Sequence, residues 1–60
     1  MTLWQFKQTA IKKLSGSPSP ALDADVLLQH VLQKDKTFIL FNRDLELNAE
    51  QETWLWNAIE

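Results

Sequence analysis

Apolar residues recur at helical spacing along much of this chain, and most densely from Pro20 to Gln33, PALDADVLLQHVLQ. With a turn of about 100° per residue, Ala21, Ala24, Leu27, Leu28, Val31 and Leu32 gather on one broad face. Asp25, Gln29 and Gln33 fall opposite. Leu22 and Val26 form a second, narrower apolar strip beside those polar residues. A helix at the edge of a globule needs one buried stripe. A helix with nearly two is expected at the centre, with the other segments packed around it. Ser19 is placed to cap its first amides, and Pro20 suits the first helical position.

The segments on either side carry similar signals. Thr2-Leu3-Trp4-Gln5 reads as a capping box, in which the Thr2 hydroxyl serves the Gln5 amide and the Gln5 side chain reaches back. Leu3, Phe6, Ala10 and Leu14 follow as a stripe that Trp4 and Ile11 widen, while Gln8, Lys12 and Ser15 face away. Lys7 falls inside the apolar arc, where its stem is expected to line the core edge with the ammonium in water. Gly16, the chain's single glycine, stands where a left-handed C-terminal cap would want it. Ser17-Pro18-Ser19-Pro20 then forms a stiff corner, since each proline biases the residue before it away from helix.

After Lys34-Asp35-Lys36-Thr37, with Asp35 or Thr37 available as a cap, comes the apolar run Phe38-Ile39-Leu40-Phe41. Periodicity alone does not separate a buried strand from a short buried helix. No other segment alternates convincingly enough to pair with it, and a lone strand leaves its backbone groups unsatisfied. The run is therefore read as a helix over 37–42, ended by Asn42-Arg43-Asp44. Leu45 and Leu47 are expected to pin an extended link onto the core. Asn48-Ala49-Glu50-Gln51 is a second capping box, with acids in the first turn to suit the helix dipole. The last helix, 49–60, is expected to bury Trp54, Leu55, Ala58 and Ile59, with Trp56 pointing off that face. The pattern is still helical at Glu60, as in a fragment cut within or soon after its last helix.

The chain thus reads as all-α, a small bundle of four helices at approximately 3–15, 20–33, 37–42 and 49–60. Sixty residues allow one domain of marginal stability. Without cysteine there are no disulfide staples, and one histidine offers no structural zinc site. A hydrophobic content of 45% is too high for a disordered tail. No apolar run approaches the roughly 20 residues of a membrane span, and the first residues lack the features of a secretory signal. A monomer in the cytoplasm is the expectation.

The net charge of −2 argues against general nucleic-acid binding. Residues 1–22 carry three lysines and no acid, whereas residues 44–60 carry five acids and no base. The preferred reading is that the first and last helices lie near each other with complementary charges. Two external partners are the alternative.

Reactive chemistry is sparse. His30 shares a flank with Asp23, but no Ser or Thr on that face could serve as nucleophile, so an edge histidine is the better reading. Asp23 and Asp25 fall on different faces and do not form a carboxylate pair. Phosphate-cradling loops need several glycines. Trp54 and Trp56 lie in the acidic segment, which disfavours stacking on nucleic-acid bases. Trp4 and Trp54 are read as core or edge residues, and Trp56 as a docking aromatic. No catalytic, cofactor-binding or metal-binding residue is assigned.

The stretch from Ser19 to Leu32 resembles the N-terminal domain of the bacterial release-factor glutamine methyltransferases, the HemK/PrmC family, which carries a related S-P-x-x-D-A-x-x-L-L-x-H-V pattern. The similarity continues through Lys36-Thr37-Phe38-Ile39-Leu40 and through Leu47-Asn48-Ala49-Glu50-Gln51, which is similar to the family's L-T-x-E-Q helix start. The resemblance implies a truncated part of a five-helix domain attached to an S-adenosylmethionine-dependent methyltransferase domain. The whole enzyme would methylate the glutamine of the Gly-Gly-Gln motif in peptide-chain release factors. The family's catalytic Asn-Pro-Pro-Tyr and its glycine-rich cofactor loop belong to that second domain and do not occur here. The implied partners are therefore the release factor and the chain's own C-terminal catalytic domain, with no direct nucleic-acid or membrane contact.

On this reading the 60 residues form a substrate-recognition domain that does not itself catalyse. Lys34, Lys36, Arg43 and Trp56 are the candidate partner-binding residues. A free-standing helical adaptor, docking through Leu22 and Val26, is the alternative. A helix-turn-helix DNA module is a third, but no helix here has the basic face that it needs.

Overall fold

In a computed structural model that describes residues 1–59, four helices follow one another: α1 (Leu3–Lys13), α2 (Pro20–Leu32), α3 (Lys36–Phe41) and α4 (Ala49–Ile59). The all-α reading holds, with each helix end within two residues of its expected place. Glu60, the last residue assigned to a helix from the sequence, lies outside the described residues.

Both capping boxes form. Thr2 Oγ1 accepts from the Gln5 amide at 3.1 Å, while Gln5 Oε1 accepts from the Thr2 amide at 2.8 Å. Asn48 and Gln51 repeat the exchange at 2.8 and 2.9 Å at the start of α4. Asp35 caps α3, its Oδ1 accepting from the Phe38 amide at 2.9 Å. The corner before α2 differs from expectation. Ser19 makes no side-chain cap; instead the Ser17 hydroxyl accepts from the Ser19 amide and donates to Asp23 Oδ2. With Ser19 at φ −140° and ψ 68°, the side-chain stabilisation of this corner passes to the neighbouring serine.

Gly16 is corrected too. It has no positive φ, and α1 ends at Leu14 (φ −94°, ψ 18°), whose N–H donates to the Ala10 carbonyl. The left-handed cap occurs one helix later, at Gln33 (φ 56°, ψ 41°).

The link after α3 completes the start of α1. The first amides of a helix have no intrahelical acceptor. Here the Leu3 and Trp4 amides donate to the carbonyls of Leu45 at 2.8 Å and Arg43 at 3.1 Å. Thr2 and Glu46 form an isolated antiparallel bridge, and the Leu47 amide donates to the Met1 carbonyl at 3.0 Å. Leu47 is buried and Leu45 partly so, pinned to the core as the alternation predicts.

Helix α2 packs against each of the other three helices, the central place expected of it, although the second apolar strip on which that expectation partly rested stays bare. The core comprises Leu3, Phe6 and Ala10 of α1, Ala24 and Leu28 of α2, Ile39 of α3, Leu47 of the link and Leu55 of α4. Around it lie Leu27, Val31, Leu32, Trp56 and Ile59, each partly buried. A folded domain of this length has a radius of gyration of about 10 Å, and the observed value is 10.4 Å.

Several side chains depart from the helical-wheel reading. Asp25, expected to face solvent, is buried because α1 crosses its flank of α2, and Lys7 Nζ lies 2.9 Å from its Oδ1. The Lys7 ammonium is therefore in that contact, not in open water. Ala21 is exposed, and the Leu22–Val26 strip has no cover, at 54% and 55% exposure. In α4 the roles of two tryptophans are exchanged. Trp54 is 39% exposed, whereas Trp56 turns inward with its ring centroid 4.7 Å from that of Phe6. Ala58 is exposed. The expected complementarity between the chain's ends takes a different form. The Met1 ammonium contacts Glu46 and Glu52 at 3.4 and 3.2 Å, and among the described residues no lysine of α1 pairs with an acid of α4.

Candidate docking surface

Lys34, Lys36 and Arg43 are all exposed and flank α3. Lys36 is the helix's first residue, and Arg43 follows its end by two. Six residues advance about 9 Å, so the two cations bracket a short segment of surface. Inside the bracket only Ile39 is fully buried; Phe38 is half-buried, Leu40 is 46% exposed and Phe41 82% exposed. The expectation of a buried helix is thus met on one side alone. Four consecutive residues about 100° apart span most of a helix circumference, so one packed side leaves the others in water.

Arg43 is held at two points. Its carbonyl accepts from the Trp4 amide at 3.1 Å, and its guanidinium lies 4.6 Å from the centroid of the Trp4 ring. Lys7 Nζ is 5.5 Å from the same ring. Lys34 Nζ lies 5.5 Å from the Phe38 ring. At the exposed Arg43 and Lys34 such contacts contribute roughly 0.5–1 kcal/mol, enough to bias the long side chains without removing their charge from water. Asn42 closes the helix, its Nδ2 donating to the Phe38 carbonyl at 2.9 Å.

Trp56 does not join this group. It lies against Phe6, with Lys13 Nζ 5.9 Å from its ring. Trp4, Leu40 and Phe41 are the surface residues that the sequence reading did not assign to a docking role. For Leu40 and Phe41 the signal was available in the unbroken run of apolar residues, too broad for one buried face.

The other sequence candidates are separately engaged. His30 stacks on Trp54 with ring centroids 4.9 Å apart and planes at 17°, while Asp23 accepts from Ser17. A shallow groove of about 300 Å³ beside the bare strip of α2 is lined by Leu14, Asp23, Val26, Leu27 and Ala58. The outer face of α4 carries another of about 420 Å³, lined by Ala49, Glu50, Thr53, Trp54 and Asn57. Among the described residues, no group of three or more His, Cys, Asp and Glu could hold a metal ion, and no helix is long and apolar enough to cross a membrane.

Comparison with known proteins adds what the surface alone does not. The chain is similar to a release factor glutamine methyltransferase of Buchnera aphidicola, 37% identical over 59 residues that cover 98% of this chain and 22% of the relative. Its similarity to the Escherichia coli protein of the same description is 45% over 51 residues, covering 85% and 18%. For the Deinococcus radiodurans protein the figures are 38% over 52 residues, covering 87% and 19%. The chain spans about a fifth of the length of these relatives. No solved structure matches it. The family model described as the PrmC N-terminal domain matches residues 5–60, and the chain belongs to that family.

Proposed function

We propose that this chain is the release-factor-recognition domain of an S-adenosylmethionine-dependent methyltransferase that methylates the glutamine of the Gly-Gly-Gln motif in peptide-chain release factors. The relatives to which its sequence is similar are named release factor glutamine methyltransferases, and this chain corresponds to a small part of each. The bound S-adenosylmethionine and the reacting atoms belong to a separate catalytic domain, against which this bundle is held. The domain's own task is to position the substrate protein. The observation that carries this reading is the cluster of exposed cations at Lys34, Lys36 and Arg43 around a largely uncovered α3. Trp56, the fourth residue the sequence offers for this role, packs against Phe6 and stands outside this surface.

The test is charge reversal in the full-length enzyme. Lys36→Glu combined with Arg43→Glu weakens release-factor binding and leaves the helical content unchanged and the unfolding cooperative, with at most the small loss of the Arg43–Trp4 contact in the melting midpoint. Unchanged affinity in an intact fold overturns the patch assignment.

A second reading, a helical adaptor, draws on the bare Leu22 and Val26 strip. An apolar strip of that width suits a partner helix. Val26→Asp would then abolish complex formation while charge reversal at Lys36 and Arg43 would not.

A further inference from the structure

The outer face of α3 carries Thr37, Leu40 and Phe41, related by three and four residues and all exposed. Phe41, at 82%, is the most exposed of the large hydrophobic side chains. A lone apolar residue in water is ordinary, but the setting of this pair is not. Lys34 and Lys36 stand at the start of the helix and Arg43 just past its end, and among the described residues none of the three forms an ion pair. Lys34 and Arg43 rest over aromatic rings instead of carboxylates. Of the two acids in this stretch, Asp35 accepts from the Phe38 amide at the start of its own helix, and Asp44 follows Arg43. The chain as a whole is acidic, with a net charge of −2. Cations thus stand at both ends of an exposed apolar face.

We infer that this face docks a protein segment presenting an apolar side chain flanked by carboxylates, with Phe41 as the anchor and Lys36 and Arg43 engaging the acids on either side. The inference rests on the release-factor reading and specifies the contact surface and the chemistry that meets it. Aromatic anchors at the centre of an interface carry a large share of its binding energy. Rim charges chiefly set association rate and salt dependence. Phe41 is the better anchor than Trp56 because Trp56 is already committed to Phe6. An acidic partner surface follows from the unpaired cations, since a basic or neutral one would leave them desolvated without compensation.

The experiment measures binding of a release factor to the full-length protein by titration calorimetry, at low and at high salt. Phe41→Ala weakens binding about 10-fold or more, with the circular dichroism spectrum and melting midpoint unchanged, as expected for so exposed a side chain. Salt weakens the wild type, and this dependence is reduced in Lys36→Glu/Arg43→Glu. Val26→Ala, on the bare strip of α2, leaves the affinity unchanged. If the wild type does not bind the release factor, the functional reading fails and takes this inference with it. If the wild type binds and Phe41→Ala binds equally well, the inference alone is overturned. It is likewise overturned if Val26→Ala gives the loss, or if sedimentation shows that Phe41→Ala acts by dissociating a self-associated form.

Discussion

Lys7 Nζ lies 2.9 Å from Asp25 Oδ1, joining α1 to α2 through two side chains that are 13% and 8% exposed. The approach falls outside hydrogen-bond geometry, so Oδ1 is buried without a donor aimed at it. Desolvating two charges costs several kcal/mol, which their attraction offsets only in favourable geometry. The pair is therefore a weak source of stability, but breaking it leaves one charge stranded. Lys7→Met is expected to destabilise the domain by about 3 kcal/mol, and adding Asp25→Leu to recover most of that loss. Urea unfolding of the two single variants and the double variant measures the coupling. A double variant no more stable than Lys7→Met would show that the pair contributes more than it costs.

Two faces of α2 should respond oppositely to truncation. Leu28 has no exposure, and Leu28→Ala is expected to cost about 2–5 kcal/mol through lost burial and the cavity left behind. Val26, at 55% exposure, touches little, and Val26→Ala should stay within about 0.5 kcal/mol of the wild type. Chemical denaturation of both variants tests the assignment of the bare strip.

The backbone at the two helix ends yields a matched pair of variants. Gly16 has no positive φ, and nothing lies within 4 Å of where a Cβ would stand. Gly16→Ala is expected to stabilise by about 0.4–1 kcal/mol, by narrowing the unfolded ensemble. Gln33 carries the left-handed conformation at φ 56°, which costs a residue with a Cβ roughly 1–2 kcal/mol. Gln33→Gly relieves that strain but gives up the bond from Gln33 Nε2 to the His30 carbonyl at 2.6 Å, so a smaller gain is expected. Melting midpoints that fall in Gly16→Ala would contradict the observed backbone.

The Met1 ammonium predicts a dependence on alkaline pH. Its pKa is raised from 8.0, first by the hydrogen bond to Glu52 and further by the charges of Glu52 and Glu46, against an opposing desolvation. A raised folded-state pKa means the folded protein holds this proton more tightly than the unfolded chain does. The contribution is complete below pH 8.0 and is lost as pH climbs through the raised folded value. The thermal midpoint should fall slightly over that window, and the fall should shrink in Glu52→Gln. An equal fall in that variant would place the effect elsewhere.

Much of this architecture is legible along the chain because its causes are local. A threonine or asparagine three residues before a glutamine satisfies the same amides wherever it occurs, so both capping boxes, at Thr2 and Asn48, form as read. Apolar spacing likewise identifies Leu28 and Leu55 as core, and the prolines limit where α2 begins. The candidate surface was legible only in part. Lys34, Lys36 and Arg43 are exposed as charged residues usually are, but the uncovered Phe41 depends on which side of α3 meets the rest of the bundle.

Helix positions and types, their start signals and the membership of most of the core follow from the order of residues alone, since each depends on neighbours within a turn or two. The burial of Asp25, the exchange between Trp54 and Trp56, the bare flank of α2 and the placing of Arg43 over Trp4 were settled only when the helices packed. A helical wheel ranks faces by apolarity. Which face is covered depends on where a crossing helix lies, and that is set by contacts between residues far apart in the chain.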